Sequence, residues 1–295
     1  MATVAQPAVV RRPRRWEGLP YWLVLPTLAY LVLFFAWPMV QAFDLAFRQD
    51  GVWTLDAFSR MYHDLRFEEA FKFTLLLIVV IVPIQFAVAV GMALLVNSAL
   101  RLRGLFLYVF LLPLAISDLA AGIVWSSIFT ERGYLNTVLE KLHLIDQPYI
   151  WLDPRKDFLQ LLTVAMAEVW RSTALITIIL VAGLQSIPKE FNEAADVFGA
   201  GWWQRLRHVT LPMLKPSIQV ALLLRIILAF EVFSTVIAIT GEGSTVLAAE
   251  AWRWETSYEN PNVAAAYASL ILVLSVVSAA IVVRLLRTPK EQLIR

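Results

Sequence analysis

Apolar residues along this chain gather into long unbroken runs, and short stretches rich in Asp, Glu, Arg and Pro separate them. Six runs stand out, at about 20–43, 73–97, 104–129, 159–185, 217–240 and 263–286. Each holds roughly 20 residues or more, enough for a helix to cross about 30 Å of hydrocarbon at 1.5 Å per residue. They are too long for ordinary strands, and the polar stretches between them cannot face lipid with unpaired backbone groups. The pattern predicts an all-α polytopic membrane protein with six transmembrane helices. One bundle extends from 20 to 287, between a basic tail at 1–19 and a short tail at 288–295, with no tandem repeat and no large soluble domain.

Composition agrees with the pattern. The chain is 59% hydrophobic and only 16% charged, whereas a soluble domain is near one quarter charged. Cysteine is absent, which excludes a disulfide framework, a thiolate metal site and a cysteine nucleophile. His63, His143 and His208 fall in separate loops without metal-ligand spacing, and no catalytic serine or paired-carboxylate set is visible. Neither a catalytic nor a metal site is expected. A net charge of +2 does not by itself point to nucleic acid.

The placement of charge says more than its sum. With the amino end in the cytoplasm, the inner segments hold 14 Lys or Arg against five Asp or Glu. The outer segments (44–72, 130–158, 241–262) hold nine against 15. The positive-inside rule then puts both termini in the cytoplasm. The cluster Arg11, Arg12, Arg14 and Arg15 precedes a run that is long, contains Pro26 and Pro38 and lacks a small-residue cleavage site. It reads as a retained first span rather than a signal peptide.

Between runs four and five, on the inner side, lies an ordered polar block, "KEFNEAADVFGAGWWQRLRHVTLP". Pro188 suits a first helical turn. Phe191, Ala194, Ala195 and Phe198 then recur at helical spacing, with Lys189, Asn192, Glu193 and Asp196 on the other face. Gly199 offers a left-handed end, and a second amphipathic piece carrying Trp202, Leu206 and Val209 is expected to stop at Pro212 and Pro216, where span five begins. Two readings of this block are open: an interfacial helix pair on the inner leaflet, or a helix that docks in a protein groove. Acids outnumber lysines on the first helix, which favours the groove.

Asp118, Glu168, Arg171, Arg225 and Glu231 lie within apolar runs, where a charge is costly unless it faces the bundle interior or a wet cavity. One reading has Glu168 and Arg171, one turn apart, neutralise each other, with Arg225 paired across the bundle. The other makes Glu168, Arg171 and Arg225 part of a substrate pathway, with Asp118 and Glu231 left to pairing or subunit contacts.

The polar block carries a resemblance. Glu193-Ala194-Ala195, three residues, Gly199, nine residues, Val209, one residue and Leu211-Pro212 is similar to the EAA loop of bacterial ABC importer permeases. The flanking "LVAGLQSIPKEFNEAA" and "LPMLKPSIQVALLLRIILAF" resemble the carbohydrate-uptake branch, in particular its MalF-type subunit, as do "GYLNTVLEKLHLI", "WLDP" and "NVAAAYASLILVL". Two departures stand out: Phe198 replaces the usual Asp before the glycine, and Gly241-Glu242-Gly243 replaces a Gly-Gly-Pro-like turn.

The resemblance implies a permease subunit of an ATP-driven sugar importer in the bacterial inner membrane, for a disaccharide or oligosaccharide such as maltose or trehalose. It implies a second, MalG-type permease, a cytoplasmic ATPase dimer that uses ATP and Mg, and an extracytoplasmic binding protein. It assigns ATPase coupling to a loop at about 186–216, through Glu193, Ala194, Ala195, Gly199, Leu211 and Pro212. It places the sugar route near Glu168, Ser172, Leu175, Arg225 and Val232; Arg171 is a further candidate by its charge within the run, and Trp125, Trp170 and Phe233 are candidate stacking planes, although an aromatic in a span is more often plain packing. The chain has no G-x-x-x-x-G-K-[ST] segment and is not expected to be an enzyme or to bind a cofactor itself. A glycerol-phosphate importer, favoured by a cationic cavity, is the alternative within transport. A self-contained secondary transporter or membrane enzyme is the alternative outside it, and would require inverted repeats, interrupted spans or a clustered catalytic set, none of which is visible in the sequence.

Overall fold

The computed structural model describes residues 19–49, 51–98, 102–241 and 243–286. The cluster Arg11 to Arg15, Arg101, Glu242 and the tail at 288–295 lie outside the described residues. Helices account for nearly all regular structure. A two-residue antiparallel hairpin, β1 (Arg48–Gln49) with β2 (Val52–Trp53), is the exception among the described residues.

The first crossing is α1 (Leu19–Leu31), which continues through a π turn (Val32–Ala36) into α2 (Trp37–Phe47). After α3 (Asp56–Tyr62) come α4 (Phe67–Asn97), α5 (Arg103–Leu111) with a 3-10 turn (Leu112–Ala115), α6 (Asp118–Phe129), α7 (Tyr134–Lys141) and α8 (Asp157–Gln185). The polar block holds α9 (Lys189–Val197) and α10 (Trp202–Arg205), which runs through a second π turn (Leu206–Thr210) into α11 (Leu211–Phe230). Then follow α12 (Ser234–Thr240), α13 (Leu247–Thr256) and α14 (Pro261–Leu285). Five helices among the described residues are long and apolar enough to cross a membrane, six if a pair bent through 99° is counted as one span.

That bend corrects the expectation of a straight third span over 104–129. Pro113 tightens the chain into the 3-10 turn, and Ile116 is extended with ψ 131°. Ser117 starts a new helix, its Oγ accepting the Ala120 N–H at 3.2 Å, with Asp118 in the first turn. The fifth span is corrected as well. Instead of running from 217 to 240, its helix starts at Trp202, ends at Phe230 and gives way to the separate α12. Interrupted spans are therefore present, contrary to the sequence reading.

Pro212 and Pro216 do not stop the second helix of the polar block. In the π turn the Leu211 N–H reaches back to the Leu206 carbonyl, and this wider turn admits the ring of Pro212 on the following residue. Pro216 is carried inside α11. The first crossing uses the same device: Trp37 N–H donates to the Val32 carbonyl just before Pro38.

α8 is the central helix. It packs on α4 through Leu77, Ile81, Val164 and Ala167 toward one end, and on α4 and α11 through Ala89, Ala93, Ile176, Leu180 and Leu214 toward the other. α14 packs on α2, α3, α11 and α13. By contrast, Trp22 to Phe35 are exposed along the first crossing. Gly122 lets α6 and α12 touch: a Cβ there would lie 2.6 Å from Ala238 Cβ and 3.1 Å from Thr235 backbone atoms.

At the end of the bundle opposite α9, α13 is tied down by polar contacts. Asp64 accepts from Trp254 Nε1 at 2.7 Å and from the Tyr267 hydroxyl at 2.9 Å. Glu250 accepts from Thr245 Oγ1 and Arg253 Nη1, both at 2.7 Å. Burial nevertheless pushes the Glu250 carboxyl above its ordinary range, because desolvation of the charge outweighs those partners.

Candidate functional site

Two polar constructions differ in kind from the rest of the bundle. The first is the helix–bend–helix at α9 and α10. Pro188 occupies the N-cap of α9. The helix ends in a Schellman arrangement: Ala200 N–H donates to the Ala195 carbonyl at 2.9 Å, and Gly199 N–H to the Asp196 carbonyl at 3.0 Å. Gly199 has φ +69°, the left-handed conformation expected from the sequence. Gly201 N–H then donates to Gln204 Oε1 at 3.0 Å, which starts α10. An ion pair between Asp196 and Arg205 clamps the two helices across the bend.

Little of this loop is buried in its own chain. Of the apolar stripe only Ala195 is buried, while Phe191, Ala194 and Phe198 face outward; Leu206 is buried in the second helix. Val197 and Phe198 are 86% and 88% exposed, and Trp202 and Trp203 are both exposed at 65%. Glu193 and Pro212 are exposed and Leu211 is half-buried. From Trp202 the helix extends for 29 residues to Phe230. That is about 44 Å at 1.5 Å per residue, so the loop is one end of a rod that reaches deep into the bundle.

The second construction lies in the apolar region, toward the far end of that rod. Arg225 and Glu168 are each 1% exposed and pair at 3.0 Å through Nη2 and Oε2. Arg225 Nε donates to Gln85 Oε1 at 2.5 Å, and Gln85 Nε2 donates to the Glu168 carbonyl at 2.8 Å. Glu168 also accepts from Thr235 Oγ1 at 2.9 Å and from Ser172 Oγ at 3.3 Å. α4, α8, α11 and α12 thus meet in one knot whose buried polar groups satisfy each other.

The partners differ from the intrahelical pairing expected. Glu168 does not neutralise Arg171; it pairs with Arg225 across the bundle, while Arg171 Nη2 meets Asp118 Oδ1 at 2.6 Å. A pair on one helix points both side chains along one stripe, whereas the crossing of α8 with α11 and α6 puts an opposite charge directly opposite each group. Asp118 is available because the third span restarts there. Of the expected route residues, Glu168, Ser172 and Arg225 are brought together and buried, Val232 is buried in the adjacent apolar core, and Arg171 and Leu175 are half-buried. Glu231 is exposed at the end of α11. Trp125 and Trp170 lie 6.2 Å apart by ring centroid, and Phe233 lies 5.6 Å from Trp252.

Gln85 and Thr235 are members of the knot that the charge pattern alone did not reveal. Gln85 was the more legible, a lone amide amid the apolar run of the second span and two residues after Pro83.

The family model described as the inner membrane component of binding-protein-dependent transport systems matches residues 85–289, a stretch that includes both constructions. The chain belongs to that family. As a member it is a transport subunit of the inner membrane and not an enzyme. The permease is 31% identical over 238 residues to the trehalose/maltose transport system permease protein MalF of Thermococcus litoralis, covering 78% of this chain and 79% of the relative. It is 30% identical over 269 residues to the trehalose transport system permease protein SugA of Mycobacterium tuberculosis, covering 88% and 85%. It is also 30% identical over 234 residues to the sn-glycerol-3-phosphate transport system permease protein UgpA of Yersinia pestis, covering 76% and 78%.

Among solved structures, the permease superposes on a chain of a bacterial ABC transporter involved in import of the acidic polysaccharide alginate. The TM-score is 0.80 at 24% identity, over 92% of this chain and 96% of the other, a likeness of fold. A structure of the bacterial alginate ABC transporter in complex with an alginate pentasaccharide-bound periplasmic protein gives a TM-score of 0.77 at 25% identity, over 93% and 98%.

Proposed function

We propose that this permease forms, with a second MalG-type permease, the route for a disaccharide or oligosaccharide delivered by an extracytoplasmic binding protein. A cytoplasmic ATPase dimer using ATP and Mg drives the cycle through α9 and α10. The observation that carries the coupling half of this reading is the exposed loop itself. Its tip leaves Val197, Phe198, Trp202 and Trp203 uncovered, although such apolar groups gain from burial in a partner. Its first helix presents Glu190 and Glu193 to solvent, and these acids would be repelled by an anionic leaflet but suit a protein cleft.

The geometry supports the following mechanics. Ala194 and Ala195 permit close approach, Glu193 supplies a polar contact, and Gly199 sets the bend that aims α10. Leu211 and Pro212 lie just after the π turn, where the rod enters the bundle. Force applied at the tip moves α11 as a unit, and Arg225 carries that motion to Glu168, Gln85 and Thr235. Glu168, Ser172, Arg225 and Val232 brace the route from within, and Arg171 and Leu175 border it.

Co-expression with the ATPase and the second permease, followed by purification and reconstitution, tests the reading. A stable complex with ATP-dependent uptake of maltose or trehalose is expected. Uptake by this chain alone in liposomes would establish a self-contained transporter and contradict it. Arg225→Ala is expected to change substrate stimulation of the complex, and unchanged stimulation would return Arg225 to a purely structural role.

A further inference from the structure

The bent third crossing leaves an apolar groove open at each end. At the outer end, α6 and α7 enclose one between residues such as Ile123, Val124, Tyr134 and Val138. At the inner end, Leu95 of α4 faces Leu102, Leu105, Phe106, Val109 and Phe110 of α5 across a groove of about 420 Å³. Phe106 also packs against the cluster that holds Leu184 and Leu214, next to the polar block, which fixes this second groove on the cytoplasmic side. Its walls are hydrocarbon, and α5 buries none of its side chains within the chain.

Charge separates the two grooves. The loop that closes the outer one carries Glu131 beside Arg132, and these cancel. In the inner one Arg103, Phe106 and Phe110 recur at i, i+3 and i+7, so a cation heads the stripe that forms the groove wall. Arg103 is half-buried and makes no ion pair among the described residues. Its stretch of sequence offers no acid either, since no Asp or Glu occurs between Glu69 and Asp118.

Length narrows the occupant. From Arg103 to Phe110 the stripe runs about 10 Å at 1.5 Å per residue. The 3-10 turn at Pro113 and the 99° bend then end it. One leaflet supplies about 15 Å of hydrocarbon, half of the usual thickness. A groove confined to that depth matches an acyl chain, whereas a helix of another subunit would cross both leaflets. We propose that the groove seats an anionic phospholipid of the inner leaflet, with one acyl chain along Leu95, Leu105, Val109 and Phe110 and the phosphate at Arg103. The lipid supplies the packing that α5 lacks and steadies the inner half of the bent crossing. Its charge answers the cation that the chain leaves unmatched.

The delipidated full-length permease in detergent is titrated with dioleoyl phosphatidylglycerol and with dioleoyl phosphatidylcholine, and bound lipid is counted by native mass spectrometry. The variants are Arg103→Gln, Val109→Trp and, as a control, Arg284→Gln, which alters an exposed cation at the inner end of α14. Phosphatidylglycerol should bind the wild type more tightly than phosphatidylcholine. Arg103→Gln should weaken it about fivefold, as expected for one basic residue at an anionic surface. Val109→Trp, which fills the groove, should weaken both lipids, and Arg284→Gln should change neither. Equal affinity for the two lipids, or equal losses in Arg103→Gln and Arg284→Gln, would overturn the seat and leave only the general attraction of a basic surface. Because the chain has no cysteine, Val109→Cys can carry a single benzophenone label. Irradiated in cell membranes, it should capture phospholipid; capture of another protein subunit in its place would assign the groove to a protein contact and contradict the proposal.

Discussion

The α9–α10 loop and the buried knot are both polar islands in an apolar chain, and they resolve their polarity in opposite ways. At α9 and α10 the charges face outward, one ion pair spans the bend, and the largest apolar side chains are uncovered. Around Arg225 every charged group has an opposite partner and further hydrogen bonds, and nothing faces solvent. On the proposed reading, the contrast separates a surface to be completed by another molecule from one complete within the chain. Substitutions in the loop should act on coupling and leave stability nearly intact, whereas substitutions in the knot should act on stability first.

The largest expected effect is in the knot. Removing one partner, as in Arg225→Ala or Glu168→Ala, strands a buried charge and should destabilise the detergent-solubilised permease by about 3–5 kcal/mol. Replacing both together with apolar residues of similar volume should recover most of that. Thermal unfolding of the three variants checks it, and equal damage in single and double variants would show that the pair is not what matters. A smaller effect is expected at Gly199. Its φ of +69° is strained for any L side chain although nothing lies within 4 Å of the added Cβ, so Gly199→Ala should cost about 1–2 kcal/mol of local loop stability. Substrate-stimulated ATP hydrolysis should fall while global unfolding is unchanged.

The smallest effect belongs to α13, at the opposite end. The raised pKa of Glu250 means that the folded chain binds its proton more readily than the unfolded chain does. The stability this group contributes is fully present below the unfolded carboxyl pKa and is lost as pH rises through the folded one. Unfolding temperatures should therefore decline with rising pH in the acidic range, and Glu250→Gln should flatten that slope.

Much of the architecture was legible because lipid imposes length and apolarity on every crossing. The loop was legible too, since Gly199 and the acid–alanine pattern act locally, and its left-handed turn is where the sequence put it. The breaks were not. Ser117 with Asp118 is a helix-start signal, but inside a long apolar run it was outweighed by hydropathy, and only packing of α6 on α12 through Gly122 shows why the span restarts there. Pro212 misled in the other direction, because a π turn that absorbs a proline leaves no trace in periodicity. Ion-pair partners were missed for a related reason: one-turn spacing between Glu168 and Arg171 is visible in sequence, whereas the crossing that brings Asp118 to Arg171 depends on tertiary structure.

The most direct measurement is substrate-stimulated ATP hydrolysis by the assembled complex carrying Glu193→Lys in this chain. Glu193 is exposed on α9 and far in sequence from the knot, so the variant should insert and unfold like the wild type while stimulation is lost. Stimulation at the wild-type level, with the permease properly inserted, would contradict the transmission of force from α9 through α11 to the intramembrane route.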